Sequence, residues 1–314
     1  MTQEQVIIIG GGPSGLTAGL YCARADLHPI IVTGEVTPTN IPGGQLMITT
    51  DVENYPGFAS GIEGPALIQQ LTSQALKYGC RIVEQHANEF NFDSEGGLHR
   101  VRIGKEWVSA RCVILANGAS AKWLGVKGEY RFKNRGISAC ATCDGPLPCF
   151  RDQTICVVGG GDSACEEALF LSKFASHVFL IHRRESLRAS KVMQRRVHDN
   201  RNITVLWNTV VVGYKGEDNL EGVLIEDLVS HERCVVECKG LFMAIGHSPN
   251  TRELESSGLD MTPDGYIQTT NNVFTNRKGV FACGDVHDTH YRQAITAAGF
   301  GCMAALETER YLAE

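Results

Sequence analysis

Four short apolar runs along the chain each stop at a glycine-bearing turn: Val6–Ile9 at Gly10, Cys112–Ala116 at Asn117-Gly118, Leu241–Ile245 at Gly246 and Val280–Cys283 at Gly284. Runs of this length, rich in β-branched residues and ended by glycine, predict buried strands. The first passes through Gly10-Gly11-Gly12-Pro13-Ser14-Gly15 into a small-residue stretch, Leu16–Ala25, that reads as a helix, and Pro29–Val32 follows as a second parallel strand. Near the end of the chain, Tyr291-Arg292-Gln293-Ala294 opens a helix over Ile295–Leu312. Its Ala297, Ala298, Gly299 and Gly301 permit close approach to a neighbour.

The opening pattern recurs. Laying residues 6–32 on 155–181, an offset of 149, needs no gap: Gly10, Gly12 and Gly15 fall on Gly159, Gly161 and Ala164, and Ile31-Val32 on Leu180-Ile181. Strand, glycine turn and helix together make a dinucleotide cradle. The first glycine allows the tight turn, the second lets a pyrophosphate approach the backbone at the helix N-terminus, and the third lets helix and strand pack closely. Two such units predict two dinucleotides.

The ribose positions separate them. In the second unit, where an acid is usual, the chain reads His182-Arg183-Arg184 with Arg188 after it. Guanidinium groups there suit a 2′-phosphate, hence NADPH; a solvated charged loop is the plainer alternative. In the first unit Thr33 holds the place and Glu35 is the nearest acid, leaving two candidates for the ribose contact. FAD is expected in that unit. Gly43-Gly44-Gln45 and Glu53-Asn54-Tyr55-Pro56-Gly57 are polar, turn-rich segments suited to lie over a flat ring, and Asp285 follows a strand where a carboxylate can meet a ribityl chain. The helix opening at Gln293-Ala294 would place its dipole near a reduced flavin. His287 and His290 lack a spaced carboxylate set and read as loop histidines.

The order of parts implies an α/β fold with two Rossmann-like, doubly wound, three-layer dinucleotide-binding domains. The NADPH domain, 118–246, is inserted in the FAD domain, 1–117 and 247–314. A length of 314 residues suits two domains, and 35 acidic against 29 basic side chains, a net charge of -6, argue against a nucleic-acid partner. The N-terminus has no signal-peptide pattern, and no apolar run approaches the roughly 18 residues of a membrane span, which predicts a soluble cytoplasmic protein.

Just ahead of the second cradle stands Cys140-Ala141-Thr142-Cys143-Asp144. Two thiols at this spacing can close a small disulfide and, once reduced, carry two electrons into thiol–disulfide exchange. Structural zinc would need a second pair of ligands at similar spacing, and of 12 cysteines only these two form a CxxC. The other ten read as buried small hydrophobes, with Cys149 near the pair, and Cys234 near Cys238, as candidates for a secondary role.

Taken together, GGGPSG (10–15), GGQL (43–46), DVENYPG (51–57), SACATCDG (138–145), GGGDSACEEA (159–168), HRR (182–184), AIGHSPN (244–250), GDV (284–286) and YRQAITAAG (291–299) resemble the low-molecular-weight thioredoxin reductases over essentially the whole chain. The resemblance implies an NADPH-dependent flavoprotein, a homodimer, in which electrons pass from NADPH to FAD to the disulfide to thioredoxin while the NADPH domain rotates between two settings. It implies that Cys140 attacks thioredoxin, Cys143 faces flavin and Asp144 is the acid/base, although Asp144 could instead cap a helical turn. FAD would be held by Gly10, Gly12, Pro13, Ser14, Gly15, Glu35, Gln45, Asn54, Asp285, Gln293 and Ala294. NADPH would be held by Gly159, Gly161, Asp162, Ser163, His182, Arg183, Arg184 and Arg188. Asn117 departs from the family's usual Ala-Thr-Gly crossing, and no C-terminal cysteine pair is present for the mechanism of the larger thioredoxin reductases. The alternatives are a reductase of another small disulfide protein or peroxidase partner, and a non-catalytic NADPH- or redox-sensing flavoprotein.

Overall fold

The computed structural model describes residues 2–37 and 41–314. The chain folds as two compact units, one of Met1–Ser120 and Ser248–Glu314, the other of Ala121–His247.

The first unit starts with β1 (Thr2–Ile9), α1 (Pro13–Arg24) and β2 (Ile30–Val32), followed by α2 (Gly64–Lys77), β3 (Arg81–Val83), β4 (Ala87–Asn91), β5 (His99–Ile103) and β6 (Glu106–Leu115). The strands lie in the order β3-β2-β1-β6-β5-β4. From β3 to β6 they pair in parallel; β6, β5 and β4 form an antiparallel meander. Successive side chains of a strand point to opposite faces, and β1 is apolar on both because both are covered. Val6 and Ile8 pack with Leu16, Ala18 and Cys22 of α1, whereas Ile7 and Ile9 pack with Phe90, Phe92 and Val101 of the meander region.

The second unit carries β7 (Ile137–Ser138), α3 (Ala141–Asp144), β8 (Thr154–Gly159), α4 (Asp162–Leu171), β9 (His177–Ile181), α5 (Lys191–Asp199) and β10 (Ile203–Leu206). It continues with β11 (Thr209–Lys215), β12 (Gly222–Asp227), β13 (Arg233–Glu237) and β14 (Gly240–Ala244). Its parallel sheet runs β7-β14-β8-β9-β10, and β11-β12-β13 form a separate antiparallel sheet. Ile155 and Val157 face Ala164, Cys165, Ala168 and Leu171 of α4, while Cys156 and Val158 face Val211, Val223 and Ile225 of the antiparallel sheet. Each unit therefore has three layers, with antiparallel strands covering the face that helices would cover in a fully doubly wound sheet.

The chain then returns to the first unit, where β15 (Val280–Ala282) pairs in parallel with β6, and α6 (Ala294–Ala313) closes the fold. Among the two crossings, Gly118 and Gly246 have φ of +69° and +95°, which favours glycine, while Asn117 keeps negative φ.

Helices α1 and α6 pack backbone to backbone. A β-carbon on Gly301 would lie 2.1 Å from the Ser14 carbonyl oxygen, whereas one on Gly299 would meet nothing within 4 Å. Gly301→Ala should therefore force the helices apart at a cost of about 1–3 kcal/mol, while Gly299→Ala should be neutral or gain up to about 1 kcal/mol from helix propensity. Urea unfolding of the two variants checks the contrast; equal stabilities would contradict the close approach.

Candidate active site: a redox disulfide and two glycine cradles

Strand β7 delivers the chain to Cys140, whose sulfur caps the single turn of α3: the Cys143 N–H donates to Cys140 Sγ at 3.2 Å. Cys140 and Cys143 form a disulfide with their Cα atoms 5.3 Å apart. Thr142 Oγ1 lies 3.4 Å from Cys140 Sγ, and the buried Ser138 hydroxyl accepts the Cys140 N–H at 3.0 Å. Asp144 is the last residue of α3 and caps neither that turn nor the following 3-10 turn, Pro148–Phe150, which has no side-chain cap. Burial pushes the Asp144 carboxyl above the usual carboxylate range, and a hydrogen bond with the Ser138 side chain draws it partly back.

Cys149 is exposed within the Pro148–Phe150 turn. Cys238 shares a hydrogen bond with Cys156 in the core, and Cys234 is exposed. No group of three or more His, Cys, Asp or Glu side chains among the described residues could hold a metal ion.

In the first unit's cradle, Gly10 has φ +123° and a β-carbon there would lie 2.1 Å from the Ala116 carbonyl oxygen. One on Gly15 would lie 1.9 Å from the Gly10 oxygen. Gly12 is the N-cap of α1, Pro13 opens the helix, and among the described residues no side chain caps it, so first-turn N–H groups remain for a ligand. The Ser14 side chain turns away from that mouth. It hydrogen-bonds Cys283 and packs under Gly284, where a β-carbon would lie 2.7 Å from its Oγ. Ser14 thus joins the glycine turn to the short Gly284–Val286 turn that carries Asp285.

Gln293 is the N-cap of α6 in a capping box with Thr296, Ala294 is the first helical residue, and Asn54 Nδ2 donates to Gln293 Oε1 at 3.2 Å. Asp288 prepares this helix start by accepting the N–H groups of His290, Tyr291 and Arg292 at 2.8, 2.9 and 3.0 Å. The Thr33 hydroxyl donates to the carbonyls of Gly34 and Val83, at 3.3 and 3.5 Å, whereas Glu35 is exposed. Gln45 is exposed on the 3-10 turn Gly44–Ile48, its carbonyl accepting the Thr49 hydroxyl at 2.8 Å. His287 is partly buried, with Nδ1 3.3 Å from Thr269 Oγ1 and its ring edge-on to Phe300, and burial draws it down to about 4. His290 is exposed.

In the second unit's cradle, a β-carbon on Gly159 would meet the Ala244 carbonyl oxygen at 2.4 Å, while Gly161, the N-cap of α4, opens to free space. The Asp162 carboxylate accepts the Ser190 N–H at 2.9 Å, which holds it below the usual carboxylate range; Ser163 is exposed in the same turn. Arg183, Arg184 and Arg188 are exposed, and no hydrogen bond or ion pair engages their guanidinium groups among the described residues. Their loop is well held. The N–H groups of Arg188 and Ala189 donate to the Gly160 carbonyl at 2.7 and 3.2 Å, and Gln194 Nε2 donates to the carbonyls of Leu187 and Ala189 at 3.1 and 2.7 Å. His182 differs from its arginine neighbours in being buried.

The family model described as pyridine nucleotide-disulphide oxidoreductase matches residues 4–301. A thioredoxin reductase from Mycolicibacterium smegmatis is 47% identical over 100% of this chain and 98% of its own length. NADPH-dependent thioredoxin reductase 3 from Arabidopsis thaliana is 46% identical over 98% of this chain and 58% of its own. The solved structure of thioredoxin reductase from Giardia duodenalis is 36% identical, covers 100% of both chains and superposes with a TM-score of 0.93. The chain belongs to the thioredoxin reductases of the pyridine nucleotide-disulphide oxidoreductase family.

Two supporting residues of this thioredoxin reductase family member escape sequence reasoning. Ser138 obeys no spacing rule relative to the CxxC. Asp288 carries a weak signal, an Asp ahead of a turn, which fits its use of three following N–H groups. Among the described residues, no helix is long and apolar enough to cross a membrane.

Burial first, and the nearby Asp288 carboxylate next, push Asp285 from 3.8 to about 6, with Arg292 pulling the other way. The folded protein then keeps a proton that the unfolded chain gives up. The contribution is fully present below about pH 4 and is lost as pH rises through about 6. In protein stripped of flavin, Asp285→Asn should therefore gain stability over the parent with rising pH, by an amount on the order of 2 kcal/mol across that window. Denaturant titrations at several pH values check this; a pH-independent difference would refute the shift.

Proposed function

We propose that the chain is an NADPH-dependent flavoprotein disulfide reductase that passes electrons from NADPH, through FAD, to the Cys140–Cys143 disulfide and on to oxidised thioredoxin. The observation that carries this reading is the disulfide itself, capping a helical turn beside a buried acid, in a chain with two glycine cradles. Relatives named thioredoxin reductase support the substrate, and the Arabidopsis relative's name supports NADPH. A homodimer in the cytoplasm is the setting the reading carries with it.

The residues fit both cofactors. The uncapped N-terminus of α1 at Gly12, Pro13 and Gly15 suits a pyrophosphate, with Gly10 making the turn. Glu35 is the ribose acceptor of choice because a carboxylate takes a stronger, charge-assisted bond from a ribose hydroxyl than the Thr33 oxygen does, and the Thr33 proton is already given to carbonyls. Asp285 would meet the ribityl chain, Gln45 and Asn54 would line the ring, and Gln293 and Ala294 would bring the N-terminus of α6 to it. Ser14 would act from behind, by fixing the Asp285 turn. In the other unit, Gly159, Gly161 and Ser163 form the phosphate turn, Asp162 braces it, and three unengaged guanidinium groups suit a 2′-phosphate. FAD, when bound, supplies the two-electron relay between nicotinamide and disulfide.

The exchange chemistry belongs to the chain's own side chains. In the disulfide form the Cys143 N–H and the Thr142 hydroxyl lie against Cys140 Sγ, and after reduction these two groups would favour its thiolate. Cys140 attacks one thioredoxin sulfur, the thioredoxin disulfide breaks, and the departing sulfur takes a proton from Asp144. Cys143 then gives its proton to the Asp144 carboxylate and attacks Cys140, restoring the Cys140–Cys143 bond, and the second thioredoxin sulfur leaves with that proton as a thiol.

The two thiols are then inequivalent. Cys143→Ser should capture, through Cys140, a single-cysteine thioredoxin carrying an activated mixed disulfide, giving a covalent complex on a non-reducing gel; Cys140→Ser should give none. Trapping by Cys140→Ser alone would reverse the roles, and capture of unrelated small disulfide proteins with thioredoxin refused would favour a different partner.

Neutralising the arginines tests the nucleotide assignment. Arg183→Gln with Arg184→Gln should weaken NADPH relative to NADH by tenfold or more, since charge-assisted hydrogen bonds are worth roughly 1.5–3 kcal/mol each. Steady-state KM values for the two nucleotides measure it; equal losses would remove the 2′-phosphate reading.

A further inference from the structure

His182 does not share the solvent with the arginines that follow it. The residue is only 6% exposed, and its ring spans two parts of the second unit: Nδ1 lies 2.9 Å from the Gly159 carbonyl oxygen, in the phosphate turn, and Nε2 lies 2.9 Å from the Ser186 carbonyl oxygen, in the arginine loop. Carbonyls only accept, so a ring nitrogen bonds its carbonyl only where it carries a proton: the neutral ring ties one of the two and packs against the other, the doubly protonated ring ties both, and in either form both nitrogens face backbone. The ring is fixed on its other sides as well. A β-carbon on Gly160 would stand 2.1 Å from its Cε1, so the turn closes over the imidazole, and Trp207 stands edge-on at 6.2 Å between centroids. The residue's own backbone is held by the Leu206 carbonyl and the Thr209 N–H, both at 2.9 Å.

We propose that His182 is a positioning residue that ties the arginine loop to the phosphate turn, and so sets preference for a 2′-phosphorylated nucleotide without touching it. The proposal rests on the assignment of NADPH to this unit. Its physical content is preorganisation. Three guanidinium groups on a loose loop would lose conformational entropy on meeting a phosphate, whereas on a loop pinned at Ser186, at Leu187 and Ala189 by Gln194, and at Arg188 and Ala189 by Gly160, that ordering is done beforehand. No other natural side chain places two ring nitrogens on opposite edges at this span, so a glutamine or asparagine reaches one of the two carbonyls without bridging the turn and the loop.

The test measures binding of 2′,5′-ADP and of 5′-AMP to the flavin-loaded full chain by calorimetry, alongside the KM for NADPH and NADH. His182→Gln should lower the preference for 2′,5′-ADP over 5′-AMP, and for NADPH over NADH, by roughly fivefold or more, with kcat changing far less than KM. In a background already carrying Arg183→Gln, Arg184→Gln and Arg188→Gln, His182→Gln should change the preference no further, because it acts through those side chains. A full additional loss in that background would mean that His182 meets the phosphate itself and would overturn the proposal. So would equal weakening of both ligands, the mark of a residue that merely supports the fold. If the triple arginine variant itself leaves the preference intact, the NADPH assignment falls; if it lowers the preference and His182→Gln does not, only the present inference falls. Should His182→Gln not fold, His182→Asn takes its place, and Gln194→Leu, which frees the loop at Leu187 and Ala189, must lower the preference by the same route; an unchanged preference there refutes loop positioning.

Discussion

Close approach of one backbone to another is the constraint on which the first unit depends. The Gly10 oxygen lies 1.9 Å from where a β-carbon on Gly15 would stand, and the Ser14 oxygen 2.1 Å from one on Gly301. The glycine turn is thereby held between β1 beneath it and α6 beside it, and the α1 N-terminus stays open because no side chain among the described residues caps it. Ser14 extends the same contact to the turn of Asp285. The glycine turn, Ser14 and the turn of Asp285 are joined by these approaches, and a methyl on Gly15 or Gly301 would meet a backbone oxygen of that assembly.

The second unit reaches a similar cradle by a different route. Its third small residue is Ala164, and Gly159 packs against it and against Ala244. The close contact is supplemented by a side chain, His182, which fills the space left by Gly160 and links the turn to the loop beyond β9. Asp162 and Gln194 add two further ties. The electrostatics follow from this division of labour. These polar groups serve the loop's own backbone, leaving the guanidinium groups exposed and, among the described residues, unengaged.

Around the disulfide, the balance between burial and hydrogen bonding decides the chemistry. Ser138 is buried, fixes the Cys140 N–H and also meets Asp144, whose carboxyl burial favours in its protonated form. A carboxyl pushed upward in this way is the kind of group the proposed exchange calls on as its acid. The remaining thiols divide by environment. Cys22, Cys80, Cys112 and Cys283 sit in the first unit's core, where burial raises all four, Cys80, Cys112 and Cys283 to about 12, and leaves them inert, as expected of small hydrophobes.

Local sequence determined the strands at Val6–Ile9 and Val280–Cys283, the two glycine turns, the CxxC and the arginine cluster. Each depends on neighbours in the chain: β-branched runs, the conformational freedom of glycine, a spacing of three residues, a concentration of charge. The repeat at constant offset made both cradles readable before any contact was known. Long-range packing decided the rest. Nothing near Ser14 in sequence announces Gly284, nothing near Cys156 announces Cys238, and the antiparallel layers over both sheets depend on pairings between segments with weak individual patterns. His182 is the clearest case. By register it belongs with Arg183 and Arg184, yet only the fold brings the Gly159 and Ser186 carbonyls to its two nitrogens, because a strand end turns adjacent residues to opposite sides and tertiary packing chooses which one faces inward.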